Sequence, residues 1–398
     1  MRVDIVPYAL PFRRPFVTGA AEHAVRRGWL VRVAGDDELE TAGWGEAAPL
    51  AGHGGEDPGA LPAALRAFAA AVADPEAAHL IDGTPPGWAP LHALSTRLFP
   101  RAHAFPCARA AFDLALADHL ARRTGLTLAR WLSRAARPHV AVNAVIDAVS
   151  PDAAGALASA AVAAGFRTLK VKLTPDRAAD ARRLAAIREA AGPHIALRGD
   201  ANGIWDVEEA IDRLRALAAF DLSYVEQPVP AADVAGLARV RRHADVPIAA
   251  DEALLFPHGP GIDAVLAAEA ADVVVLKPSL FGGPSAAWAA AIAAAAHGVA
   301  VTVTTSLDGA VGRHGALAVA AALYPPPGAC GLATGGLLES DFGPDIVIRG
   351  GEAIVAGASV GLGFTPTVPA GDGMMATDPD PDPDPDPDPG SAPSDDTS

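Results

Sequence analysis

Lysine is nearly missing from this chain. Among 31 basic residues in 398, only Lys170, Lys172 and Lys277 are lysine; the other 28 are arginine. Arginine solvates a surface and pairs with carboxylates as well as lysine does, but it does not readily give up its proton, whereas a lysine amine in a dry pocket can titrate near neutrality. Each of the three lysines ends an apolar run that reads as a buried strand, which points to a use for the amine itself. Cysteine is rarer still. Cys107 and Cys330 are far apart and fit no CxxC or zinc spacing, so a disulfide framework is excluded and two reduced thiols in a cytoplasmic protein are expected. Aromatics make up 5% of the chain and no basic stripe accompanies them, so nucleic acid is not an expected partner. Apolar stretches are broken before the roughly 20 residues a membrane helix needs, and the N-terminal segment carries Asp4 and no long apolar region; neither membrane insertion nor a signal peptide is expected.

What is abundant is Ala, Gly, Pro and acidic charge. The formal net charge is −16, and the tail from Asp378 to the end, which opens with Asp-Pro repeats, contains eight aspartates and no base, which is half of that excess. Proline removes backbone donors and aspartates repel one another, so residues 376–398 are expected to be an extended, solvated tail of no fixed fold.

The middle of the chain repeats one pattern: a short apolar run, a polar or glycine stop, then an Ala/Leu/Arg-rich helical segment. The runs are Val140–Ile146, Thr168–Leu173, Ile195–Asp200, Leu222–Glu226, Pro247–Asp251, Asp272–Lys277 and Val299–Thr305. Helical stretches such as Asp176–Ala191 and Asp206–Ala219 lie between them. This alternation implies βα units around a parallel sheet, and so many consecutive units favour a closed barrel over 136–330. Residues 1–135 read as an α+β unit instead. It has strands near Val3–Ala9 and Trp29–Val33, a turn at Gly35–Glu38, a loop at Phe16–Arg27 containing Thr18, Gly19 and His23, and helices near Ala60–Ala73 and Cys107–Arg123. Residues 330–370 are expected to return to that unit.

The chemistry is concentrated at the ends of successive runs. Asp200, Glu226, Asp251 and Lys277 follow one another at about 25-residue intervals, one βα unit each, so they should stand at equivalent heights on neighbouring strands. In a barrel that height is the C-terminal rim, where active sites form. Three carboxylates converging there call for a cation. Hard oxygen donors with no His or Cys beside them suit Mg²⁺, with Mn²⁺ as a substitute, rather than zinc. Lys170 and Lys172 are two apart and share a strand face, where mutual repulsion and burial make one amine easier to deprotonate. Lys277 approaches from the other side. Such a set suits abstraction of a proton α to a carboxylate in a small-molecule substrate, with a neutral lysine as base and positive charge stabilising the enediolate.

The Lys170-Val171-Lys172 pair followed by Asp200, Glu226, Asp251 and Lys277 resembles the enolase superfamily, muconate-lactonizing subgroup. Within it, Arg198–Gly203, Val225–Pro228 and Thr305–Asp308 are most similar to the o-succinylbenzoate synthase family. The Gly43-Trp44-Gly45-Glu46 segment fits the superfamily's capping domain. The resemblance implies a modified (β/α)₇β TIM-like barrel with an α+β capping domain built from both ends of the chain. It implies Lys172 as general base and then acid, Lys170 tuning it, and Lys277 stabilising the enediolate. Asp200, Glu226 and Asp251 become Mg²⁺ ligands, with Asn202, Arg198, Ser279 and Ser306 as candidates for holding substrate. The reaction implied is a lyase-type dehydration in menaquinone biosynthesis; N-succinylamino acid racemisation, dipeptide epimerisation and muconate cycloisomerisation use the same parts. A Schiff-base aldolase and a non-catalytic barrel are the competing classes, and neither needs three rim carboxylates. Glu252, adjacent to Asp251, is expected to turn away from the ligand set. Gly52–Gly55 and Gly282-Gly283 read as a surface loop and a helix-capping turn. Oligomeric state is left open by the sequence.

Overall fold

The computed structural model describes residues 1–17, 22–35, 39–50, 54–100, 104–355 and 359–367. The Asp-Pro tail and Thr18, Gly19, Gly52, His53 and residues 36–38 lie outside these.

The first part of the chain forms an antiparallel sheet of β1 (Arg2–Val17), β2 (Glu22–Ala34) and β3 (Gly43–Ala47), followed by α1 (Leu61–Ala73), α2 (Pro75–Asp82), α3 (Trp88–Leu98), α4 (Pro106–Arg123) and α5 (Leu128–Leu132). The segment 16–27, read from sequence as a loop, is largely strand: Phe16 pairs with His23, Val17 with Glu22 and Pro11 with Val25. Ladder hydrogen bonding across the hairpin overrides the loop-like local composition. Helix α4 lies against β3 so closely that a Cβ on Gly45 would collide with the Ala111 carbonyl, which is why glycine is needed there.

The barrel then begins with β4 (His139–Ala141) and β5 (Ala144–Ile146), and continues α6 (Pro151–Ala163), β6 (Thr168–Lys172), α7 (Arg177–Ala191), β7 (Ala196–Asp200), α8 (Val207–Leu217), β8 (Leu222–Glu226), α9 (Val234–His243), β9 (Ile248–Ala250), α10 (Ile262–Ala267), β10 (Val273–Leu276), α11 (Pro284–Ala296), β11 (Ala300–Val303) and α12 (Ala310–Ala322). Asp176 and Asp206 cap α7 and α8, accepting from the amides of Ala179 and Glu209, so these helices begin where the sequence placed them. Strands β5 to β11 are parallel in sequence order. Residues 328–331 close the ring as an eighth strand: Gly331 donates to the Val303 carbonyl (2.9 Å), and Cys330 donates to Ala141 (2.7 Å) on the opposite edge. Among the described residues this makes eight strand positions and seven intervening helices, the (β/α)₇β arrangement.

The chain's last part runs back along the first. Leu338 bridges Phe12, Glu339 donates to the Pro11 carbonyl (2.9 Å), and Phe342 meets Tyr8 edge-on. Strand β12 (Ile348–Arg349) and strand β13 (Glu352–Ile354) form a ribbon paired to β4. One continuous apolar core joins these parts. Polar clamps sit on the same seam. Asp113 of α4 accepts both the amide and the hydroxyl of Ser285 at the start of α11, and Glu46 of β3 accepts the amides of Gly309 and Gly312 at the start of α12. The Gly282-Gly283 turn is therefore capped by a protein carboxylate, Asp113, rather than presented to an anion. Among the described residues no helix is long and apolar enough to cross a membrane.

Candidate active site

The strand ends carry the predicted constellation. Lys172 is opposite Asp200 in the β6–β7 register, and Asp200 is opposite Glu226 in the next pair. Asp251 follows the last residue of β9 directly, and Lys277 follows β10. Parallel pairing thus brings residues about 25 apart in sequence to one level. The ammonium of Lys170 lies 2.9 Å from Asp200 Oδ2 and 2.8 and 2.9 Å from the two Glu226 oxygens. Lys277 Nζ lies 2.7 Å from Asp251 Oδ2. The partners of these carboxylates are lysines, not arginines.

Burial works to neutralise both lysines, but Asp200 and Glu226 outweigh it for Lys170, and Asp251 and Glu252 for Lys277, so both amines are held above the ordinary lysine range. Lys170 is therefore held as an ammonium. Burial, then repulsion from Asp200 and Asp251, pushes the Glu226 carboxyl up to about 8 against the pull of Lys170. Glu252 is pushed up to about 7 by burial and by Asp251. The Lys172 side chain is exposed at the barrel mouth.

Glu252 does not turn away. Strand β9 ends at Ala250 and residues 252–254 form a 3₁₀ turn, so strand alternation no longer applies there; Glu252 Oε1 instead accepts from Asn202 Nδ2 at 3.1 Å. Asn202 has φ +45°, and its amide donates to Asp200 Oδ1 at 3.1 Å. Arg198 lies one step along β7 from the ligand level. Its guanidinium donates to the Ala329 carbonyl (2.6 Å) and stacks 4.7 Å over the Tyr224 ring, tying the closing strand to the barrel interior. Ser279 and Ser306 have buried hydroxyls that find no hydrogen-bond partner among the described residues.

Sequence reading missed Gln227. With φ +41°, it turns its side chain so that Oε1 accepts the amides of Asp251 (3.0 Å) and Ala253 (3.0 Å), while Nε2 donates to Val229. It fixes the backbone from which Asp251 projects. The Glu226-Gln227-Pro228 sequence was the available signal, but the contact spans 24 residues and depends on β8–β9 pairing.

Among the described residues no three Asp, Glu, His or Cys groups stand close enough as they are to hold a cation; the ammonium groups of Lys170 and Lys277 lie on the oxygens of Asp200, Glu226 and Asp251. The donor set nonetheless fits a hard divalent ion. The four carboxyl groups of Asp200, Glu226, Asp251 and Glu252 face two lysines, Lys170 and Lys277, and the raised Glu226 and Glu252 carboxyls register that crowding of acidic groups. Among the described residues, the buried oxygens Asp251 Oδ1, Glu252 Oε2 and Asn202 Oδ1 find no donor, although buried acceptors are normally paired.

Comparison with known proteins agrees with this geometry. The o-succinylbenzoate synthase of Thermobifida fusca is 43% identical over 212 residues, which are 52% of this chain and 64% of that protein. The synthase of Mycobacterium bovis is 44% identical over 209 residues, 52% of this chain and 60% of that protein. The chain thus matches somewhat under two thirds of the length of these relatives. Among solved structures, the L-Ala-D/L-Glu epimerase of Bacillus subtilis superposes with a TM-score of 0.77 at 28% identity, covering 91% of this chain and 98% of the other. A mandelate racemase/muconate lactonizing protein of Herpetosiphon aurantiacus gives 0.78 at 25% identity, covering 92% and 98%. The family model for enolase C-terminal domain-like proteins matches residues 153–370, more than half of the sequence. The chain belongs to the enolase C-terminal domain-like family, within the enolase superfamily.

Proposed function

We propose that this protein is an o-succinylbenzoate synthase, a dehydratase acting on 2-succinyl-6-hydroxy-2,4-cyclohexadiene-1-carboxylate. The observation that carries the reading is the lysine–carboxylate array on β6 to β10, with Lys172 exposed at its mouth and Lys277 on the opposite side, in a chain that is 43–44% identical over about half its length to proteins of that name.

Lys172 acts as the base and takes the proton α to the substrate carboxylate. The same ammonium then gives a proton to the departing hydroxyl, so one C–H and one C–O bond break, water leaves and the ring becomes aromatic. Lys277 and Lys170, both held protonated by their carboxylates, keep positive charge beside the developing enediolate. Asp200, Glu226 and Asp251 would hold Mg²⁺, or Mn²⁺ in its place, which when bound stabilises negative charge on the substrate carboxylate. Asn202 and Gln227 position Asp200 and Asp251, and Arg198 holds the barrel closed beneath them.

A racemase or epimerase reading uses the same array and is favoured by the near full-length likeness to an epimerase. Asp308 counts against a dipeptide substrate. It is the one aspartate in residues 306–312, where a dipeptide epimerase would be expected to carry an Asp-x-Asp pair, and it is buried with Oδ2 accepting the Ser306 amide. Conversion of the cyclohexadiene to o-succinylbenzoate with Mg²⁺, and its loss with EDTA, tests the proposal. A folded protein that binds Mg²⁺ but leaves this substrate unchanged would redirect the reading to N-acylamino acid racemisation.

A further inference from the structure

A lysine side chain is a flexible four-carbon stem, so a lysine base whose side chain is exposed is aimed largely by the backbone that carries it. The backbone around Lys172 is gripped by a buried ionic cluster on the outer helices. Arg183 of α7 donates through Nη2 to the Lys172 carbonyl (2.8 Å) and to Asp180 Oδ1 (2.5 Å), and through Nη1 to the Ala148 carbonyl beyond β5 (3.3 Å). Asp180 accepts the Thr174 amide (2.9 Å) and hydroxyl (3.0 Å). Arg213 of α8, stacked over Trp205, donates to the Thr174 and Pro175 carbonyls. On the inner side the Leu173 amide donates to the Asp200 carbonyl at 2.7 Å. Asp180, Arg183 and Arg213 are all buried. Burying a carboxylate between two guanidinium groups costs desolvation that apolar packing would avoid, so it is weak evidence of a stabilising role. Its placement is informative: the donors converge on the peptide units from Lys172 to Pro175, at the rim.

We propose that Arg183, oriented by Asp180, is a positioning residue that fixes the Lys172 peptide and so aims its amine. The catalytic part of this inference rests on Lys172 being the base; the structural part does not.

Helix α7 supplies a matched control. Arg188 makes the same kind of grip at the other end of the barrel, donating to the carbonyls of Ile195 (2.7 Å), Phe220 and Asp221 ahead of β7 and β8. The test compares Arg183→Gln with Arg188→Gln in the full chain. Reductive dimethylation with ¹³C-formaldehyde labels at most three lysines and the N-terminus, and the Lys172 signal is assigned by its loss in Lys172→Arg. The expected result is a shifted or broadened Lys172 signal in Arg183→Gln and an unmoved one in Arg188→Gln. With the cyclohexadiene substrate, kcat should fall about 100-fold in Arg183→Gln with little change in KM, since a misplacement near 1 Å costs about that much, while Arg188→Gln keeps its kcat. If Arg183→Gln does not fold, the isosteric Asp180→Asn should move the same signal. A Lys172 signal unchanged in the Arg183 and Asp180 variants, or equal kcat in the two arginine variants, overturns the proposal. Absence of turnover in the wild type would remove only the synthase reading, and the lysine signal would then decide alone.

Discussion

Lys277 Nζ and Asp251 Oδ2 lie 2.7 Å apart at the ends of neighbouring strands, and each side chain is less than 5% exposed. A pair this buried stands or falls together. Removing one partner leaves the other charge without compensation, which costs about 3–5 kcal/mol. Lys277→Met should therefore lower stability by roughly that amount. Added Mg²⁺ should restore more of it in the variant than it adds to the wild type, because the freed carboxylate has only the cation to meet. Thermal unfolding of both proteins with and without Mg²⁺ measures this; equal Mg²⁺ increments would contradict it.

The ligand assignment has a separate test. Asp251→Asn keeps the size of the side chain and removes its charge, so Mg²⁺ affinity measured by calorimetry should fall at least tenfold, about 1.4 kcal/mol. Unchanged affinity would remove Asp251 from the ligand set.

Much of the barrel was legible in the sequence because its signals are local: apolar runs of strand length, Asp caps on α7 and α8, and a spacing near 25 residues that parallel pairing converts into equal height. Asp200, Glu226, Asp251 and the lysines were found on that basis. What stayed hidden depends on where chain direction changes. Gln227 acts through a left-handed backbone turn, Glu252 through the end of a three-residue strand, and Arg198 through a closing strand of a few residues with no β-rich run of its own. The strand character of 16–17 and 22–27 was obscured because the pairing partner, not the composition, makes these residues strand.

Arg198 separates a structural from a substrate role. Arg198→Met should cost about 1–3 kcal/mol by leaving the Ala329 carbonyl unpaired, with KM for the carboxylate substrate within threefold of wild type. A tenfold rise in KM without loss of stability would return Arg198 to the substrate-binding set.

Glu46 makes folding stability depend on pH. Burial, then Asp308, pushes its carboxyl up to about 7 in the folded chain, against an ordinary value of 4.5, while Tyr8 and the amides of Gly312 and Gly309 pull the other way. Between those values the folded state binds more protons than the unfolded, so stability contributed by this group is present at low pH and lost as pH rises through about 7. Relative to Glu46→Gln, the wild type should lose roughly 1–3 kcal/mol between pH 5 and pH 8. A constant difference across that range would show that the three donors keep Glu46 ionised.

The most direct measurement is turnover of 2-succinyl-6-hydroxy-2,4-cyclohexadiene-1-carboxylate by the wild type beside Lys172→Arg, with Mg²⁺ affinity determined for both. Arginine keeps the positive charge but cannot act as a base near neutrality. The expected result is metal-dependent dehydration by the wild type, loss of turnover in Lys172→Arg and Mg²⁺ binding retained in both. Dehydration surviving in Lys172→Arg would contradict the assignment of Lys172 as the base.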